Sequence, residues 1–181
     1  TSETACGFVV EFVDIIENHN YNTATNQYGT NKSGWRDSKM RTYINDTVYK
    51  SLPSDLQNVI TTTKVISGHG NTSGEINFET QDKLYLLSSE EIYEDFASSS
   101  NAQYDTSVGT SKQLDYYKNQ GVTTSSYAGA IKQYNGSNYY WWLRSAISYN
   151  SSAFILVNSL GDWDGGNPNA SFGVSPAFRI A

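Results

Sequence analysis

The feature that most constrains this chain lies at its C-terminal end. Tyr139, Tyr140, Trp141, Trp142, Leu143, Arg144 and Ser145 form one aromatic run, and Gly173, Val174, Ser175, Pro176, Ala177, Phe178, Arg179 and Ile180 form a second, largely apolar run around Phe178. About thirty residues rich in Ser, Asn, Gly and Asp lie between them, a composition that favours turns. Aromatic and β-branched side chains suit a half-buried pleated surface, so the pattern predicts two core strands holding a turn-rich excursion. The strands would form a rigid frame, and the excursion is free to differ.

The excursion is also marked by what it lacks. Lys, Glu, Gln and Met make up roughly one residue in six of the first 144, close to ordinary usage. From Ser145 to Ala181 all four are missing. None of their codons ends in a pyrimidine, whereas Asn, Tyr, Ser, Asp, Gly, Phe, Ile and Pro all have codons that do. A segment written mostly in pyrimidine-ending codons would show this gap. Tight turns would show it too, because they favour Gly, Asn, Asp, Ser and Pro over long charged side chains. Composition leaves both readings open.

Three motifs carry a resemblance: Trp141-Trp142-Leu143-Arg144-Ser145, then Val157-Asn158-Ser159-Leu160-Gly161-Asp162-Trp163, then Gly173-Val174 leading to Pro176-Ala177-Phe178-Arg179. With Gly34-Trp35-Arg36-Asp37-Ser38 and Leu52-Pro53-Ser54-Asp55-Leu56, they span nearly the whole chain. The chain resembles a bacterial and phage family of uncharacterised domains. That family is similar to the C-type lectin-like fold shared by formylglycine-generating-enzyme-like proteins and the variable proteins of diversity-generating retroelements. The resemblance implies an α+β class: a C-type lectin-like fold with a mixed antiparallel sheet, two or more short helices and long loops. In diversified members, template adenines are copied with errors into a C-terminal variable repeat, which would leave the residue types seen here. The Trp163 codon cannot arise that way, so Trp163 is assigned to the fixed frame.

With 181 residues, one ligand-binding domain spanning 1–181 is the simplest organisation. The opening Thr1-Ser2-Glu3-Thr4 reads as a cut inside a longer protein, so upstream domains are expected. A formal charge of -6 argues against nucleic acid as partner, since phosphate binding needs clustered Lys and Arg. No apolar run approaches the roughly twenty residues that span a bilayer, so direct membrane insertion is not expected. The expected location is extracellular, on a bacterial cell surface or phage virion, with a protein or glycan ligand on a cell surface. Cys6 is the only cysteine, which excludes an internal disulfide. It reads either as a formylglycine-type nucleophile or as a small buried hydrophobe beside Phe8, Val9 and Val10.

Along the chain, residues 8–16 read as one early buried strand and 18–33 as a polar loop with Tyr21 and Tyr28 as anchors. A helix is predicted from Asp37-Ser38, with Met40, Tyr43, Ile44 and Val48 facing the core. A second helix follows Pro53, with Leu52, Leu56, Val59 and Ile60 as its stripe. Residues 61–67 and 82–88 read as strands, and Ser88-Ser89-Glu90-Glu91 as a helix start with solvated carboxylates. A further helix is expected over 110–121, and Asn135-Gly136 as a turn. Residues 127–134 stay ambiguous. Residues 153–157 read as a buried strand and Leu160-Gly161 as a tight turn. His19 and His69 lack metal-ligand spacing.

The ligand surface is assigned to solvent-facing side chains of the excursion: Tyr149, Asn150, Ser151, Ser152, Asp164, Gly165, Gly166, Asn167, Pro168, Asn169, Ser171 and Phe172. Tyr, Ser, Asn and Gly suit adaptable recognition, the aromatics giving contact area and the small polar groups hydrogen bonds. Trp141, Trp142, Arg144, Trp163, Pro176 and Phe178 form the scaffold. Asp162, Asp164 and Asn167 offer oxygens from which a calcium site could begin, without EF-hand spacing. No cofactor is otherwise expected. The reading is a binding module, an adhesin or receptor-binding domain with a variable C-terminal surface, rather than an enzyme. The alternatives are a fixed-specificity glycan-binding module, a formylglycine-type enzyme and a structural spacer.

Overall fold

The computed structural model describes residues 7–22, 30–71, 77–105 and 112–180. Cys6 and Tyr28 lie outside them. The chain opens with β1 (Phe8–Glu11) and β2 (Glu17–Asn20). A short helical block follows: α1 (Lys39–Tyr43), a π-helical turn (Ile44–Val48), α2 (Tyr49–Ser51) and α3 (Ser54–Val59). Then come β3 (Ile60–Thr61), β4 (Thr63–Ser67), β5 (Phe78–Asp82), α4 (Ser89–Ile92), a 3-10 turn (Ser100–Tyr104) and α5 (Asp115–Asn119). The last third is β: β6 (Lys132–Tyr134), β7 (Ser137–Tyr139), β8 (Trp141–Ala146), β9 (Phe154–Val157), β10 (Trp163–Gly166), β11 (Ser171–Val174) and β12 (Ala177–Ile180).

The architecture is mixed α+β with mostly antiparallel sheets and short helices. A five-stranded sheet runs β10-β9-β8-β11-β2, a three-stranded sheet β1-β12-β3, and β4-β5 and β6-β7 form two-stranded ribbons. Only the β8 and β11 pair within these sheets is parallel, with Gly173 opposite Trp141. Every residue of β8 and of β9 is buried, so the centre of the large sheet is covered on both faces. Trp35, Tyr93, Phe96, Trp141, Trp142 and Phe154 join one hydrophobic cluster there.

Local chemistry accounts for many element starts. Ser38 caps α1 by accepting from the Arg41 amide, and Ser88 and Glu91 form a reciprocal capping box on α4. Asn135 and Gly136 both take positive φ, 52° and 77°, the pairing that a two-residue hairpin turn between β6 and β7 requires.

Five expectations need correction. Residues 8–16 are not one buried strand: β1 is an edge strand, the chain bends after Glu11, and Val13 is 83% exposed. Val59 is 49% exposed rather than part of a core stripe, because α3 ends where Ile60 turns into β3. The predicted 110–121 helix is confined, among described residues, to α5. Residues 83–88 are irregular, although 84–88 are buried. Asn45 substitutes for a ladder there, its Oδ1 accepting from the Lys83 and Leu84 amides and its Nδ2 donating to the Leu84 carbonyl. Finally, the terminal run is two strands in two sheets, β11 and β12, parted at Ser175-Pro176. Proline has no amide to continue a ladder, and the Pro176 carbonyl instead accepts from the Phe12 amide at 3.2 Å.

Candidate functional site

The Ser/Asn/Gly excursion is more ordered than its composition suggests, since β9 and β10 fill it as a hairpin turning at Gly161, where φ is 93°. β10 is the outer edge of the large sheet. The loop over 147–153, between β8 and β9, lies beside it.

Asn31 fastens that loop. Its buried amide nitrogen lies within 2.8 Å of the Ile147, Asn150 and Ala153 carbonyls and donates to them, while its Oδ1 accepts from the Asn71 amide at 3.2 Å. Its own amide donates to the Ser151 carbonyl. Asn71 Nδ2 then donates to the Ser148 carbonyl, and Ser148 reaches the 3-10 turn through its amide, which donates to the Tyr104 carbonyl, and its hydroxyl, which donates to the Gln103 carbonyl.

These bonds set Tyr104 between two rings. Its centroid lies 5.1 Å from Tyr149 and 5.2 Å from Trp163. Tyr149 is 63% exposed, Tyr104 and Trp163 are half-buried, and Trp163 meets the buried Phe96 edge-on at 5.5 Å. Trp163, assigned to the frame, is thus part frame and part surface. Exposed Asn150, Asp164 and Gly165 adjoin this patch in sequence. Nothing in the local sequence marks Tyr104 for this place. It stands alone in a Ser/Asn-rich stretch, and only its distant partners give it a role.

The remaining rim residues divide. Ser151, Ser152, Asn167 and Asn169 are half-buried, while Gly166 and Pro168, expected to face solvent, are buried. Gly166 sits beneath the edge of the Trp142 ring, and the Pro168 carbonyl accepts from the Asn22 amide. Ser171 and Phe172 lie on β11, three strands from β10, roughly 14 Å away at the usual strand spacing. Phe172 is half-buried and packs on Trp142 and Tyr140, at 5.0 and 5.5 Å. The structure therefore places Tyr149, Asn150 and Gly165 at this patch, sets the Asp164 side chain on the opposite face of β10 from Trp163, and leaves Ser171 and Phe172 as a separate patch.

Residues 12–181 match a family whose description is Domain of unknown function (DUF6273). The chain belongs to that family. No curated protein and no solved structure matches it. The stretch shared with the DUF6273 family begins at Phe12, so β1 precedes it, whereas every rim and scaffold residue falls inside.

The candidate cation ligands each serve a turn. Oδ1 of Asp162 accepts from the Trp163 amide at 2.9 Å, Oδ1 of Asp164 from the Gly165 amide at 2.7 Å, and Oδ1 of Asn167 from the Asn169 amide at 3.0 Å. Partial burial is the main force raising the Asp162 pKa; the Trp163 amide opposes it and Asp164 adds to it. Among the described residues, no three His, Cys, Asp or Glu side chains gather as a metal site. His19 sits in β2, stacked on Tyr43 at 4.0 Å, and His69 meets Phe78 edge-on. No described helix is long and apolar enough to cross a membrane.

Beneath the sheet, Arg144 is buried. Its Nε donates to the Ile66 carbonyl, and its Nη1 donates to the Leu86 carbonyl and to Glu91. Burial pulls the guanidinium pKa down, but Glu91, joined by Tyr85 and Asp105, outweighs it, so the value lies above the ordinary one. Glu91 is therefore not a solvated carboxylate: its side chain is 14% exposed and ties α4 to β8.

Proposed function

We propose that this domain is a ligand-binding module, an adhesin or receptor-binding domain of a bacterial surface or phage protein, and not an enzyme. The reading includes a C-type lectin-like plan in which a stiff aromatic frame carries an exchangeable C-terminal rim of the kind that retroelements diversify.

One observation carries it. Tyr104, Tyr149 and Trp163 form a continuous open aromatic patch on the edge of a sheet whose central strands are fully buried, beside the polar Asn150. Rigid aromatics lose little rotamer entropy on binding, and the neighbouring Asn150 side chain and Gly165 backbone supply hydrogen bonds that adapt to a protein or glycan. The absence of Lys, Glu, Gln and Met from 145 onward supports exchange at the rim.

The test is capture on arrays of glycans and surface proteins, with and without a chelator. Tyr149→Ala or Trp163→Ala should weaken a captured ligand by about tenfold or more, as expected for aromatic anchors. Capture unchanged in both variants would overturn the assignment. A chelator-sensitive interaction would add calcium to the reading. For diversification, the test is a reverse-transcriptase gene and a near-copy of the 3′ coding end that differs only at adenines; their absence from the neighbouring DNA sinks that part alone.

A further inference from the structure

We propose a second binding site, for a small oxyanion such as a carboxylate or phosphate, in the cleft between the outer edge of β4 and residues 112–115. It is independent of the aromatic patch.

The cleft has a volume of about 530 Å³, within the roughly 300–1,000 Å³ usual for small-ligand sites. Its charged lining is Lys64, Lys112, Arg144 and Arg179 against Glu91 and Asp115. Four cations facing two anions leave an excess of positive charge, in a chain whose formal net charge is -6. Arg144 and Glu91 pair with each other at the floor, so the charge open to a ligand is that of Lys64, Lys112 and Arg179 against the single carboxylate of Asp115. Lys64 pairs with the solvent-exposed Glu79, a weak pairing that a ligand can compete with.

The backbone adds a second, separate argument. β4 pairs with β5 alone among the described strands. The Ile66 carbonyl accepts from Arg144 Nε at 3.0 Å, so it points away from β5. The Lys83 amide agrees, being taken by Asn45 Oδ1 rather than by the ladder beyond Thr63 and Asp82. In an antiparallel strand a residue's N–H and C=O point to the same side, and the side alternates along the chain. The Ile66 and Lys64 amides therefore face the cleft side. Backbone donors beside Arg and Lys suit an oxyanion, whose several lone pairs accept charge-assisted hydrogen bonds.

The test is titration of the whole domain by calorimetry at low ionic strength with inorganic phosphate, glucuronate and, as the neutral control, glucose. Saturable binding of phosphate, of glucuronate or of both supports the site and says which oxyanion it prefers. Arg179→Gln and Lys64→Gln should each weaken that binding by about tenfold, the worth of one charge-assisted hydrogen bond. Lys112→Gln is the third variant, and circular dichroism confirms folding of each. Tyr149→Ala should leave anion binding unchanged. Saturation by neither anion, equal binding of glucose, or binding indifferent to all three charge removals would overturn the proposal without touching the aromatic patch.

Discussion

Gly165 and Gly166 are neighbours in the exchangeable-looking segment, and the structure predicts opposite tolerance for them. A Cβ at Gly166 would lie 2.4 Å from Cζ3 and 2.6 Å from Cη2 of Trp142, and 2.5 Å from Cδ2 of Leu156. Both neighbours are buried, so neither has room to retreat. A Cβ at Gly165 would meet only the terminal methyl of the buried Ile147, at 3.0 Å, which a shift of a few tenths of an ångström relieves, with Ala153 Cβ at 3.9 Å. Replacing glycine by alanine also trims the unfolded chain's entropy, which favours folding by about 0.4–1 kcal/mol where the backbone fits. Gly165→Ala should therefore be neutral or slightly stabilising. Gly166→Ala should cost about 1–3 kcal/mol through overpacking, lowering the midpoint by about 2–12 °C in a domain of this size. Thermal unfolding followed by circular dichroism measures both. A Gly166→Ala midpoint within a degree of the parent would refute the tight packing of rim on frame. It would also return Gly166 to the solvent-facing positions.

Three further outcomes are expected. Asn31→Asp sets a carboxylate against three carbonyls and should cost about 3 kcal/mol or more. It should also speed amide hydrogen exchange over 148–152; unchanged exchange would remove Asn31 from its role as clamp. Glu91→Gln leaves the buried Arg144 charge without its counter-charge and should cost about 3–5 kcal/mol. Denaturant midpoints decide this, and a loss below about 1 kcal/mol would mean that water reaches the pair. Asp162 has a raised folded-state pKa, so its ionised form opposes folding: stability falls as pH climbs through the unfolded value toward the folded one. Asp162→Asn keeps an oxygen for the Trp163 amide and should be the more stable form at pH 7, with the gap closing below about pH 4. A gap that persists in acid would assign the effect to something other than charge.

The predictions that held rest on near neighbours. The Ser38 and Ser88 caps, the Asn135-Gly136 turn and the Gly161 turn each need only residues within a few positions of one another, so short-range chemistry announces them. The buried strand over Phe154–Val157 announces itself because apolar, β-branched residues run together. What failed depended on distant partners. Nothing local tells that Asn45 will stand in for a strand partner at 83–84, or that Glu91 will meet Arg144 fifty-three positions away.

The candidate site divides in the same way. Sequence alone determined the aromatic frame, the polar excursion within it, and the positions of Tyr149, Asn150 and Asp164 on that excursion, because hydrophobic pattern and turn chemistry are written residue by residue. Tertiary structure decided that Tyr104 joins Tyr149 and Trp163, that Gly166 and Pro168 turn inward, and that Phe172 stands apart on another strand. Those outcomes follow from which strand lies beside which, and strand order is a property of the whole folded chain rather than of any stretch within it.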